Sequence, residues 1–321
     1  MDSRDCSVIV VSWNTRELLE ACLASVRSKA AGAEIVVVDN RSADGSAAMV
    51  RERFPEAALV ENPSNRGFAR AVNQGIAVSK RPVVVLLNPD ATLTDGAIDE
   101  LLRAMDADPD VGIAGAQLLD EDGDRQHSFD SFPSLASECL NKWLLRTLFP
   151  GRFPGKRLAL DAVTDVDSVI GACLAVRRAT IDRVGVLDER FFVFLEETDW
   201  CLRMKRAGLR VVHVPSSRVV HLQGKSKARR PVLARIEYLR SLFVYFRKNS
   251  GATAWLVLHA ARFLKSAVNA LFCGIGMILT LGLVPSLRRR CAIHAGLFGW
   301  QLLGCPRSIG LQPPDLPEAP R

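Results

Sequence analysis

Acidic residues are nearly missing from the last third of the chain. After residue 200 only Glu237, Asp315 and Glu318 carry a carboxylate, against 20 Lys and Arg, whereas residues 1–200 hold 32 Asp and Glu against 22 Lys and Arg. The net charge of +7 over 321 residues therefore hides a basic C-terminal segment suited to an anionic neighbour. Paired cysteines are missing too. The eight cysteines include no CxxC and no spacing typical of a disulfide or zinc framework, which argues against a stapled secreted domain; most lie in apolar runs and read as small core residues in a reducing compartment. No secretory leader is expected, because Asp2, Arg4 and Asp5 lead at once into VIVVSW, so cytosolic exposure is the expectation. A phosphate-cradling P-loop is absent as well. Gly224, Lys225 and Ser226 imitate its end, but Val219 stands where the Walker pattern needs a glycine.

What remains is a folded chain, 48% hydrophobic and 24% charged, with room for one large domain and an appendage. Ser7 to Ser12, Glu34 to Val38, and Leu59 with Val60 read as strands. Between them, Asn14 with Glu17 predicts a capping box opening a helix whose Leu18, Leu19, Cys22, Leu23 and Val26 form one apolar face. A short helix ending at Phe54 and another over Phe68 to Ser79 complete an alternation of strands and helices. Such alternation implies right-handed βαβ units and a mostly parallel sheet. From Asp120 to Asp165 the periodicity weakens, which predicts a mobile excursion or a substrate-facing insertion. Val166 to Arg177 is strand-like, and Trp200, Met204 and Ala207 share a helical face. Two short β-rich runs follow, Arg210 to Val214 and Arg218 to His221, and long helices are expected from about Pro231.

Three places carry chemistry. Val83 to Leu87 is a continuous apolar run, read as a strand buried on both faces, and it ends in Asn88, Pro89 and Asp90. In an open α/β sheet that edge binds ligands, so Asp90 is either a hard oxygen ligand for a cation or part of an ordinary turn. Ser12 to Asn14 and Asp39 with Asn40 also end strands and would line the same crevice. Glu196, Glu197 and Asp199 cluster at a helix start, where the helix dipole favours anions, but a partly desolvated carboxylate there also serves as a general base. His221 closes a short apolar strand; it is a structural histidine or, with Asp90, a ligand of an ion such as Mn2+.

In order along the chain, VSWN, VVVDNRSADGS, ENPSNRGFARAVNQGI, LLNPDA, GACLAVRR, GVLDERFFVFLEETDWCLR and VVHLQGKS resemble the family 2 inverting glycosyltransferases of the GT-A fold. They look closest to the rhamnosyltransferase-like branch that decorates polyprenyl-linked cell-surface glycans. The resemblance spans roughly residues 7–226. It implies a Rossmann-like α/β domain over 1–228, with 120–165 facing the acceptor, followed by a basic and apolar helical region over 229–321. It places the nucleotide near Ser12, Asn14, Asp39 and Asn40, with Asn65, Gly67 and Asn73 along the nucleotide-sugar pocket. Asp90 matches the last position of the DxD metal motif and His221 a later metal-site histidine, so Mg2+ or Mn2+ is the implied cofactor. Gly171 and Ala172 match a small-residue segment beside the donor sugar. Glu197 falls on the catalytic base position, with Glu196 and Asp199 as neighbouring candidates. Two departures stand out: Asn88 replaces the first DxD carboxylate, and the base is Glu where the family usually has Asp.

Ser266 to Val284 runs for 19 residues without a charge, flanked by Arg262, Lys265 and the triple Arg288, Arg289 and Arg290. These helices read as lying in or dipping into the cytoplasmic leaflet, peripheral or monotopic, with their cations on anionic headgroups; the alternative is a homodimer or core-packing element. The expected activity is transfer of rhamnose from dTDP-rhamnose to a saccharide or polyprenyl-diphosphate-linked acceptor, with no nucleic acid partner. A nucleotide-sugar-binding scaffold with weakened catalysis is one alternative, motivated by Asn88. A nucleotidyltransferase is the other, although VSWNTREL lacks the basic glycine-rich loop that chemistry expects.

Overall fold

The computed structural model describes residues 1–140, 142–149, 160–222 and 231–312. Gly224, Lys225 and Ser226 and part of the 120–165 segment lie outside the described residues. The elements run β1 (Cys6–Ser12), α1 (Arg16–Lys29), β2 (Glu34–Asp39), α2 (Ser46–Arg53), β3 (Ala58–Glu61), α3 (Phe68–Val78), β4 (Val83–Leu87) and β5 (Ala91–Leu93). Then come α4 (Ala97–Ala107), β6 (Val111–Leu119), β7 (Phe129–Asp130), α5 (Leu135–Cys139), α6 (Lys142–Leu148), β8 (Thr164–Asp165) and β9 (Ser168–Val169). The remainder is β10 (Cys173–Arg177), α7 (Arg178–Val184), α8 (Glu196–Arg206), β11 (Arg210–His221), α9 (Pro231–Asn249), α10 (Gly251–Leu279) and α11 (Pro285–Leu302).

Two compact units divide the chain. The first holds residues 1–132, 150–189 and 196–224 and is built on one sheet ordered β3-β2-β1-β4-β10-β6-β11-β5, with β8 on β11. Six of these strands point the same way, because β3, β2, β1 and β4 pair in parallel, β6 pairs in parallel with β11, and β10 runs antiparallel to both β4 and β6. Alternate residues of the strands feed two cores, as a sheet covered on both faces requires. Val8, Val10, Val37, Val85 and Leu87 pack with Leu19, Leu23, Met49, Leu101 and Leu102 of α1, α2 and α4. Ile9, Val36, Val38, Val84 and Leu86 pack with Val72 and Ile76 of α3 and with Trp200 and Met204 of α8.

Three expectations change. Helix α1 is capped at Thr15 without a side-chain bond; Asn14 instead sits at φ 53° and turns its Oδ1 to the Ala43 amide, 2.7 Å away. A contact across 29 residues wins over a local cap because it closes two crevice loops at once. The Val166–Arg177 run is two strands, β9 and β10, broken by a turn at Gly171 and Ala172. The two β-rich runs before His221 are one strand, β11, with a register shift between Val214 and Arg218; Pro215 lies at that break, where a missing N–H does least harm. The cysteines also split, with Cys6, Cys22, Cys173 and Cys201 buried and the other four half-buried.

The second unit holds residues 133–149, 190–195 and 225–321. Helix α9 supplies its core with Ile236, Leu239, Leu242, Phe243, Tyr245 and Phe246. Buried Glu237 is satisfied by Arg240, by the Leu311 amide and by Gln312. Helix α10 is the reverse: only Leu258 and Ser266 are buried. Leu264, Leu271, Phe272, Ile278 and Leu279 are all more than 60% exposed. Among the described residues α10 is the one helix long and apolar enough to cross a membrane by length and composition.

Candidate active site

The parallel pairing of β1 with β2 and with β4 brings Ser12, Asp39 and the Asn88–Asp90 turn to one edge of the sheet. Both Ser12 and Asn40 are buried, and the Asn40 amide donates to the Ser12 carbonyl at 2.8 Å. Asp39 is 4% exposed; its Oδ2 accepts from the Ser42 amide at 2.8 Å, while its Oδ1 finds no partner. A buried carboxylate oxygen left open is costly unless a ligand donor meets it, so Asp39 suits a hydroxyl or an amide of a nucleotide. The Asn40 side chain donates to the Gly67 carbonyl at 3.1 Å and accepts from Asn62 at 2.8 Å, while Asn65 accepts from the Gly67 amide at 3.0 Å. Gly67, at φ 84°, makes the turn into α3 that a side chain would strain.

On the other side of β4, the Asn88 amide donates to the Ala172 carbonyl at 2.9 Å. Next to Ala172, Gly171 lies so close to Glu197 that a β-carbon there would stand 3.5 Å from the Glu197 carboxyl carbon. Asp90 Oδ1 lies 3.3 Å from His221 Nε2, both side chains nearly buried, because His221 pairs opposite Ala91 across β11 and β5. The Leu222 amide fixes the Asp90 carbonyl at 2.9 Å and Gln126 fixes the His221 carbonyl at 2.9 Å. His221 Nδ1 is buried without a partner. One carboxylate and one imidazole side by side fit a divalent cation that takes its other ligands from phosphate oxygens and water. Among the described residues no group of three or more His, Cys, Asp or Glu side chains is placed to hold a metal ion. With Asn88 in place of a carboxylate, Asp90 and His221 are the two side chains of this turn and strand that could hold a cation. Cys173, beside this turn, is fully buried, and burial pushes its thiol up to about 12, so in the metal-free protein it stays protonated.

The first turn of α8 carries Glu196, Glu197 and Asp199. Phe194 and Leu195, just before it, adopt φ of 76° and 67°. Asn14 and Arg41, just past the ends of β1 and β2, are left-handed as well, and such backbone at a non-glycine residue costs about 1–3 kcal/mol. The three acids differ. Asp199 is fully buried and bound by Arg203 Nε at 2.9 Å, while the Arg203 guanidinium also donates to the Val184 and Val186 carbonyls. Trp200 locks the same corner by donating to the Gly185 carbonyl at 2.8 Å. Glu196 is 5% exposed, whereas Glu197 is only half-buried and faces Gly171.

The structure thus gathers Asn88, Asp90, Gly171, Ala172, Glu197 and His221 on one side of β4, and Ser12, Asn14, Asp39, Asn40, Asn65 and Gly67 on the other. Asn73 is spent elsewhere: its amide binds the Leu187 backbone at 2.9 and 3.0 Å and Glu189 at 3.1 Å, beside the Arg70–Glu189 ion pair at 2.7 Å. It braces α3 against the 187–189 loop. Asn62, Arg203 and the Phe194–Leu195 strain escaped the sequence reading. Only Arg203, at i+4 from Asp199, left a readable signal.

The family model for glycosyl transferase family 2 matches residues 7–185. The chain belongs to glycosyl transferase family 2. It is similar to an N-acetylglucosaminyl-diphospho-decaprenol L-rhamnosyltransferase of Mycobacterium tuberculosis, at 29% identity over 74% of this chain and 82% of the relative. A dTDP-rhamnosyl transferase of Shigella flexneri is 25% identical over 78% of this chain and 82% of its own length. A mannosyltransferase of Pyrobaculum calidifontis, solved with GDP-Man and Mn2+, superimposes with a TM-score of 0.53 at 18% identity, covering 93% of this chain and 86% of that one. The family 2 chain is a glycosyltransferase, and its mixed, mostly parallel sheet flanked by helices is the GT-A fold.

Proposed function

We propose that this family 2 enzyme transfers rhamnose, with inversion, from dTDP-rhamnose to a polyprenyl-diphosphate-linked saccharide in cell-surface glycan assembly. The observation that carries the reading is the pairing of a half-buried carboxylate, Glu197 against Gly171, with the Asp90–His221 pair, through the Ala172–Asn88 hydrogen bond. The relatives' names, a decaprenol-linked rhamnosyltransferase and a dTDP-rhamnosyl transferase, support the choice of donor and acceptor.

The open Oδ1 of Asp39 accepts a hydrogen bond from the nucleotide, and Asn40, held by Gly67 and Asn62, keeps that loop in place. Asp90 and His221 would hold Mg2+ or Mn2+; a cation there, when bound, offsets the charge that builds on the leaving diphosphate. Gly171 lies against Glu197, where a β-carbon would make ordinary contact with the carboxyl carbon at 3.5 Å. Glu197 takes the proton of the acceptor hydroxyl as that oxygen bonds to the anomeric carbon and the carbon–oxygen bond to the diphosphate breaks on the opposite face. Asp199, clamped by Arg203, acts as a positioning residue for the helix start. Glu196 neighbours the base and is buried.

In this reading residues 1–228 form the catalytic domain, with 120–165 toward the acceptor, and 229–321 keep the enzyme at the cytoplasmic face of the membrane. The exposed apolar side chains of α10 and the excess of cations after residue 200 support that location. The test is a donor screen by thermal shift and product release across dTDP-, UDP- and GDP-sugars with Mn2+ present. The largest shift and turnover are expected with dTDP-rhamnose, and turnover of a UDP- or GDP-sugar in its place would overturn the donor assignment.

A further inference from the structure

The second unit contains a pocket of about 580 Å3 among α9, α10 and α11. Its walls are aromatic. Phe243 stacks on His259 at 3.5 Å between ring centroids and lies nearly parallel to Trp300 at 6.3 Å, while Trp255 meets His259 at 4.4 Å. Its polar lining is cationic, with Arg190, Arg240, Arg247 and Lys248. Arg240 is already held by Glu237 and by the Pro306 and Ile309 carbonyls. Arg247 is different: its guanidinium lies over the Trp255 ring at 5.5 Å, and no carboxylate pairs with it among the described residues. A pocket of this size with no acidic side chain in its lining selects an anion, and the aromatic walls select one that carries an apolar body. The helix that supplies Trp255 and His259 also presents Leu256, Leu264, Leu271 and Phe272 to solvent.

We infer that this pocket binds the diphosphate of a lipid-linked isoprenoid, with Arg247 on the phosphate oxygens and the hydrocarbon laid along the exposed apolar face of α10. The inference rests on the proposed function for the sense of such a ligand, but it concerns a second site. Arg247 presents two donors in a planar fork that suits phosphate oxygens. Its contact with Trp255 holds the guanidinium in place and makes Trp255 a reporter of occupancy. Charge and apolar surface lie on the same helices, as an anion with a hydrocarbon tail requires.

The experiment is calorimetric titration of the full chain in non-ionic detergent with farnesyl diphosphate, inorganic diphosphate and farnesol, for the wild type, Arg247→Ala, Arg247→Lys and Asp90→Ala. Farnesyl diphosphate is expected to bind at least tenfold more tightly than either fragment. Arg247→Ala should weaken it about tenfold, Arg247→Lys less, and Asp90→Ala not at all. Arg247 is solvent-exposed, so its replacement leaves the fold intact. Equal affinity for inorganic diphosphate would make this a free-phosphate site, equal affinity for farnesol would remove the anion, and loss of binding only in Asp90→Ala would move the ligand to the donor crevice; each overturns the inference. Binding is read without turnover, so a chain that fails to transfer rhamnose can still pass. Conversely, a chain whose Arg247→Ala variant keeps the wild-type KM for a lipid-linked acceptor fails this inference while keeping the proposed activity.

Discussion

Replacing His213 with phenylalanine should remove a large part of the enzyme's acid sensitivity. His213 lies in the middle of β11, fully buried, opposite Gly115 of β6 and Thr164 of β8, with the Phe129 ring 5.0 Å away. Neither ring nitrogen has a partner. Burial, helped by Arg125, pushes its pKa down from 6.5 to about 4. The folded state therefore keeps the ring neutral over a range in which the unfolded chain binds a proton, so stability is full above pH 6.5 and is lost as pH falls toward 4. Linkage gives a loss of about 2 kcal/mol between pH 8 and pH 5, rising to about 3 kcal/mol at pH 4. Phenylalanine loses no hydrogen bond there and does not titrate. Urea unfolding of both proteins at pH 8 and pH 5 measures the difference: the wild type should lose about 2 kcal/mol more than His213→Phe. Equal losses would refute the claim that His213 is buried neutral.

Gly75→Ala should destabilise the protein by about 1–3 kcal/mol in thermal or urea unfolding, because its β-carbon would stand 2.5 Å from Ile9 Cγ2 where α3 packs on β1. Asp199→Ala strands Arg203 beside the Val184 and Val186 carbonyls and should cost about 3–5 kcal/mol of stability, with transfer by the folded fraction at low temperature largely retained. Asp90→Ala and His221→Ala should each weaken Mn2+-dependent donor binding at least tenfold by calorimetry, the Asp90 change more; unchanged metal dependence in both would remove them from the cation site.

The buried face of each strand was legible because a strand covered on both sides has to be apolar throughout: Val83 to Leu87 announces β4 without ambiguity. The same uniformity hid direction. Cys173 to Val176 is as apolar as β4, and nothing in four apolar residues tells that β10 enters the sheet reversed. Polar strand ends drew attention to Asp39, Asp90 and His221, because a carboxylate or imidazole closing an apolar run is either a ligand position or an ordinary turn residue or structural histidine. Local grammar misled at Asn14, where Asn three residues before Glu17 writes a capping box and a contact with Ala43 overrules it. Asn73 lay in a motif full of pocket residues, yet its partners, Leu187 and Glu189, are more than 110 residues away. Such distant partners, like the clamp of Arg203 on the 184–186 backbone, leave no trace in spacing.

The central claim is that Glu197 removes the proton in sugar transfer at a site whose donor is held by other residues. The most direct measurement compares donor affinity and single-turnover transfer from dTDP-rhamnose in the wild type and Glu197→Gln. Loss of a general base predicts a fall in transfer of about 10²–10⁴-fold with donor affinity changed by less than about twofold. Transfer at the wild-type rate by Glu197→Gln, or a loss of donor binding that accounts for all the lost turnover, would contradict the account.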